Sequence, residues 1–152
     1  MSSEELRKEV LDYISSHDRC VMATSRQDNP RAASVIYVND GFKILVHTIR
    51  GTAKVRNVEE NPNVALVIDD QAREGWGQTK TLQYIGQARI LTNSQEQKKA
   101  AEIYVKKFPI VKRFLTPEGF ATDQVLIEIT PERIYFSDYA KGMGHREKLT
   151  DF

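Results

Sequence analysis

Short apolar, β-branched runs alternate with polar turns along most of the chain, and a few stretches break that rhythm with helical spacing. Leu6, Val10, Tyr13 and Ile14 recur every three or four residues behind Ser3, Glu4 and Glu5, which predicts an amphipathic helix from Ser3 to about Ser16. Residues 20–25 and 32–38 are apolar runs separated by Gln27, Asp28, Asn29 and Pro30, a hairpin pattern. A second turn at Asn39-Asp40-Gly41 leads into a strand over 42–48, because Asn, Asp and Gly tolerate the positive φ of tight hairpins. Residues 52–60 read as a short helix ended near Asn61-Pro62, since the residue before a proline is pushed out of the helical region.

A strand over 64–68 follows, then a loop without period over 71–80, then a strand over 81–91 in which Gly86 marks a bulge or a close approach. Ser94 with Gln97 three residues later predicts a capping box that opens a helix running to Lys107, with a further helical turn over 111–115. Residues 124–129, the pair Pro131-Glu132 and residues 133–136 predict two final strands joined tightly. The polar tail 138–152 carries two glycines and is expected to be ordered only by a partner or ligand.

Strands in hairpin series with helices between them favour a mainly β (α+β) fold over a parallel sheet, whose strands alternate regularly with crossovers. The expected architecture is a six- to seven-stranded antiparallel barrel with short flanking helices. A length of 152 residues suits one domain, and 40% hydrophobic with 28% charged residues excludes disordered and collagen-like classes. No apolar run approaches the roughly 20 residues that cross a bilayer. The N-terminus mixes charges of both signs without a signal-peptide core, so a cytoplasmic location is expected. Cys20 is the single cysteine, which rules out an internal disulfide, argues against a structural zinc site and reads as a small buried residue; no metal site is expected. A net charge of +1 predicts no broad attraction to nucleic acid or to an acidic membrane, so any anion site must be local.

The segment from Val46 to Asn57 supplies such a locality, with a strand passing through Gly51 into a helix start at Thr52-Ala53-Lys54. Free amides at a helix start, its dipole, a threonine hydroxyl and nearby cations can together hold a phosphate dianion. The competing reading is that Thr52 only caps the helix while Arg50, Lys54 and Arg56 are solvated.

Ala23-Thr24, Asp28-Asn29-Pro30, Thr52-Ala53-Lys54, Asn61-Pro62-Asn63-Val64 and the strand holding Gly86 occur in an order that resembles the FMN-binding split-barrel family of pyridoxamine 5'-phosphate oxidase and its relatives. The resemblance spans residues 4–137 and implies a split barrel over 1–138 with a C-terminal tail over 139–152. It also implies that Thr52, Ala53 and Lys54 hold the FMN phosphate, with the basic Arg31 nearby and His47 and Thr48 beside the ribityl chain. By the same resemblance the strand of Ser34, Val35, Ile36 and Tyr37 passes the isoalloxazine with its backbone, and Gln83 reaches in from the second subunit of a homodimer. Trp76 would cover the flavin from the partner chain or else pack locally. Tyr37 and His47 also have plain readings, as a packed strand aromatic and a core or surface polar residue.

The vitamin oxidases of that family end in an arginine-rich segment with an Arg-Leu-x-Pro pattern, whereas this chain ends Gly-His-Arg-Glu-Lys-Leu-Thr-Asp-Phe, so oxidation of the vitamin is not expected. What the resemblance implies is a flavin-dependent oxidoreductase acting on a small molecule, with NAD(P)H or oxygen as the other partner. A non-catalytic flavin-binding or stress-associated module stays open, as do a deazaflavin cofactor and haem bound through His145 in the Gly-Met-Gly-His tail.

Overall fold

The computed structural model describes residues 2–70 and 75–152. Of the expected loop over 71–80, residues 71–74 and the side chain of Trp76 lie outside the described residues. Helix α1 (Ser3–Ser16) covers the expected span, and its cap is Ser2, one residue before Ser3: its hydroxyl accepts from the Glu5 amide while the Glu5 carboxylate accepts from the Ser2 amide. The stripe Leu6, Val10, Tyr13 and Ile14 is buried, as the spacing requires.

Strands β1 (Arg19–Arg26) and β2 (Asn29–Asp40) form a hairpin whose two turn residues, Gln27 and Asp28, both have positive φ, at 52° and 63°, as a type I′ turn demands. The next turn is Gly41-Phe42, with Gly41 at φ 59°, so Asn39 and Asp40 belong to β2 and pair with β3 (Lys43–Ile49). Helix α2 (Ala53–Glu60), β4 (Asn63–Asp69), a single 3-10 turn (Trp76–Gln78) and β5 (Lys80–Ile90) follow. Helix α3 (Ser94–Lys107) is capped by Asn93, whose side chain accepts from the amides of Gln95 and Glu96. The expected Ser94/Gln97 box does not form, because Ser94 Oγ donates to the Glu118 carbonyl and Gln97 bridges Leu91 and Phe120.

After a 3-10 segment (Pro109–Phe114) and a two-residue hairpin of β6 (Leu115–Thr116) and β7 (Gly119–Phe120), the two expected final strands prove to be one, β8 (Gln124–Asp138). Gly86 pairs with Pro131 and Ile85 with Arg133, so Glu132 is an extra residue and the strand bends through a bulge instead of turning back. That bend lets the first half of β8 close on β3 while the strand from Ile127 to Asp138 pairs with β5, giving a closed barrel in the order β3-β2-β1-β4-β5-β8. The tail is ordered by its own chain: β9 (Arg146–Leu149) pairs with the second half of β8, Leu149 is buried, and the Phe152 ring packs on Phe42.

Two cores result. One fills the barrel and takes in α1 and α2; the other lies between the barrel wall and α3, around Val38, Leu45, Tyr104, Val111, Phe120 and Leu126. His47 sits in the second, with its ring 5.0 Å from that of Phe120 and 5.3 Å from that of Phe114, and its Nε2 bonded to Gln124 Oε1 at 2.7 Å. Burial holds the imidazole below its ordinary value near 6.5, only partly opposed by the Gln124 bond.

Two outcomes follow from this packing. A Cβ added at Gly86 would collide with the Thr130 carbonyl at the bulge, so Gly86→Ala is expected to cost about 1–3 kcal/mol in urea unfolding. A wild-type midpoint in the variant would contradict the close approach. The folded state keeps His47 neutral, so its contribution is complete above about pH 6.5, the ordinary value, and is lost as the pH falls through the lowered folded value. Acidification should therefore destabilise wild-type protein more steeply than His47→Gln, and parallel declines in the two urea midpoints would be the contrary result.

Candidate functional site

The ladder between β2 and β3 runs from the Asp40–Lys43 pair only as far as Tyr37–Val46, while β1 continues to pair with β2 down to Asn29. Beyond Val46, β3 stays with β8 through Ile49, so the two strands part and leave a split in the barrel wall. Among the described residues, the β2 edge over 29–36 has no strand partner on that side, which is also where a sheet tolerates Pro30. At the first position past the ladder, the Tyr104 hydroxyl donates to the Ile36 carbonyl at 3.0 Å and accepts from the His47 amide at 3.3 Å.

At the far end of the split the β3–α2 turn faces β2 across a cleft of about 270 Å³ lined by Arg31, Ala32, Ala33, Thr52, Ala53 and Lys54, with Met22 and Thr24 behind them. Gly51, at φ 89°, makes the turn into α2. Thr52 has cap geometry but spends its hydroxyl proton on the Ile49 carbonyl, at 3.1 Å, and makes no side-chain bond to the helix amides. The first amides of α2 have no acceptor within the helix, no acidic residue occupies its first turn, and they open beside the cleft. Asn57 fixes the helix to the barrel floor through a buried bond from Nδ2 to Thr24 Oγ1 at 2.9 Å.

The four cations of the region divide into two pairs. Arg50 donates to the Thr122 carbonyl and Arg56 to the Gly51 carbonyl, so both brace the turn. Arg31 and Lys54 face the cleft, and neither forms an ion pair with a carboxylate among the described residues. A cleft with two free cations and a row of unpaired amides can receive a phosphate dianion.

Of the residues marked out in the sequence, Arg31, Thr52, Ala53 and Lys54 are therefore brought together. Ser34 is exposed on the outer face of the sheet, Val35 points into the barrel core, Ile36 packs under α3 and Tyr37 is buried with its hydroxyl on the Ile14 carbonyl at 2.6 Å. What that stretch offers at the split is backbone. His47 turns its ring away into the second core, and the half-buried Thr48 follows on the β3 lip. Gln83 lies outside its own chain's cleft, exposed on the outer sheet face in a cross-strand row with Val67, Val21 and Ser34. Val21 and Val67 in that row are 41% and 38% exposed, an apolar strip on a strand face.

Tyr104, Asn57 and Met22 escaped the reading of the sequence. Tyr104 meets its partners 57 and 68 residues away, so its helical spacing marks it only as a core position. A larger groove, of about 590 Å³, runs between α3 and residues 112–119, lined by Ala101, Val105 and Leu115 together with Lys98, Glu102, Lys106 and Lys112, and it holds none of the residues marked out in the sequence.

The chain is 28% identical to General stress protein 26 of Bacillus subtilis (strain 168) over 134 residues, 88% of this chain and 89% of that protein. The crystal structure of General Stress Protein 26 from Bacillus anthracis str. Sterne superposes with a TM-score of 0.69 at 25% identity, over 97% of this chain and 99% of that one. A heme binding protein from Mycobacterium smegmatis shares the fold with a TM-score of 0.80 at 16% identity, over 99% of this chain and 58% of that one. The sequence profile described as pyridoxamine 5'-phosphate oxidase matches residues 6–138, from α1 to the end of β8. A match of that extent, on a closed antiparallel barrel split between β2 and β3, makes the chain a member of the pyridoxamine 5'-phosphate oxidase family.

Proposed function

We propose that this protein is a flavoprotein that binds FMN in the split, as a homodimer, and acts as a flavin-dependent oxidoreductase on a small molecule. The observation that carries the reading is the cleft in which Arg31 and Lys54 face the free amides at the start of α2. These groups would take the phosphate. The edge of β2 over 32–36 and the β3 lip at His47 and Thr48 would run beside the ribityl chain and ring, and the edge groups that the Tyr104 hydroxyl does not occupy would bond the ring's polar edge. FMN, when bound, supplies the hydride or electron transfer, and the residues of this chain hold, orient and screen it.

The dimer rests on the outer sheet face. Val21 and Val67 pair across β1 and β4, Ala23 and Ala65 lie beside them, and the two valines stay exposed among the described residues. Barrel closure leaves few open edges, so the partner would cover this face, and Gln83 in the same row would reach the second cleft.

A second reading is haem binding. His145 Nε2 is buried without a hydrogen-bond partner among the described residues, an imidazole nitrogen with lone-pair capacity to spare, and the mycobacterial structural relative carries heme binding in its name. A Soret shift on hemin titration that disappears in His145→Ala would establish it in place of FMN.

Lys54→Ala removes one charge-assisted phosphate contact and should weaken FMN about ten- to hundredfold, or 1.5–3 kcal/mol, while leaving riboflavin affinity unchanged. An unaltered FMN dissociation constant would sink the phosphate assignment. Light scattering should return the mass of two chains, and a monomer at micromolar concentration would contradict the shared site. Oxidation of NAD(P)H or consumption of oxygen by the loaded protein separates an oxidoreductase from a stress-associated protein that only holds the flavin; the Bacillus relatives carry the words stress protein in their names.

A further inference from the structure

In a regular antiparallel ladder the pair after Tyr37–Val46 would be Ile36–His47, and a single Tyr104 hydroxyl bonds one group from each of these residues. The His47 amide reaches the hydroxyl oxygen and the hydroxyl proton reaches the Ile36 carbonyl, so a side-chain O–H stands where a direct N–H to O=C bond would close the next rung. Both backbone groups are satisfied, yet the strands are held apart by the width of one oxygen. Tyr104 is fixed in that position: it is fully buried, its ring meets those of His47 and Phe108, and α3 is anchored by its Asn93 cap and by Gln97.

We propose that Tyr104 is the positioning residue that wedges the split open, so that α3, lying outside the barrel, sets the width of the ligand site between β2 and β3. This rests on the flavin reading for the identity of the ligand and on the two hydroxyl bonds for the wedge itself. The wedge sits at Ile36 and the phosphate cleft begins at Ala33, a run of three residues or roughly 10 Å of strand. It therefore acts on the ring side of a bound flavin and leaves the phosphate side alone. Without the hydroxyl, the Ile36 carbonyl and the His47 amide have each other as partners, and the ladder gains a rung at the expense of the opening.

The test uses Tyr104→Phe, which keeps the ring in the second core. In the wild type, the scalar coupling that NMR detects across a direct amide-to-carbonyl hydrogen bond is expected to be absent between His47 and Ile36; in the variant it is expected to appear. If the open form falls to about one tenth of the molecules, the apparent dissociation constants of FMN and riboflavin both rise about tenfold. The FMN-over-riboflavin preference stays as in wild type, the opposite of the Lys54→Ala pattern, and the visible band of the residual bound flavin shifts. A direct coupling in the wild type overturns the wedge without recourse to any variant. Unchanged affinities in a folded Tyr104→Phe protein, or a loss confined to FMN, overturn its action on the ring side. Wild-type protein that takes up neither flavin fails the flavin reading and with it the ring-side effect, whereas a bridged His47 amide in that same protein still upholds the wedge.

Discussion

Backbone groups at a strand edge must find partners, and the place where β2 and β3 stop pairing determines most of what this barrel can do. Up to Tyr37–Val46 the wall is a continuous sheet; past it, β3 follows β8 and β2 follows β1, and one tyrosine hydroxyl serves both lips of the gap. The barrel survives the gap because the bulged, 15-residue β8 joins β3 to β5 and carries β9 as well. Helix α2 is then held across the open end by the Asn57–Thr24 bond, which brings the start of the helix against Arg31.

The electrostatics fit a near-neutral protein with one local demand. A net charge of +1 gives no general pull on anions, and Arg50 and Arg56 are spent on the carbonyls of Thr122 and Gly51. Elsewhere, exposed ion pairs such as Lys8–Asp12 and Arg26–Glu60 balance their own charge and contribute little. Arg31 and Lys54 differ in facing a concave surface together with unpaired amides, an arrangement that favours a dianion over water.

Much of this was legible from alternation and turn chemistry. The hairpin at Gln27-Asp28, the helix ended at Asn61-Pro62 and the close approach at Gly86 each follow from a local conformational need, and local needs leave local marks. The Thr52-Ala53-Lys54 start was legible for the same reason. Caps at Ser2 and Asn93 were displaced by one residue because neighbouring serine or asparagine side chains compete for the same amides, and tertiary bonds such as Ser94 to Glu118 decide between them. Pro131-Glu132 reads as a turn in sequence because a bulge and a turn use the same residues; only the partner strand, through Gly86, distinguishes them. The tail has too little apolar character to announce a strand, yet Leu149 and Phe152 suffice once β8 offers an edge. Tyr104 is legible only as a core position of its helix, since its hydroxyl bonds reach strands far away in sequence.

The most direct measurement is a titration of the purified, cofactor-free protein with FMN, followed by the visible flavin spectrum and by heat. Saturation at one FMN per chain, with a perturbed flavin band, is the result that a dimer with two equivalent split sites predicts. A protein that leaves the spectrum of free FMN unchanged at every ratio, and releases no heat, would contradict the assignment of the split as a flavin site.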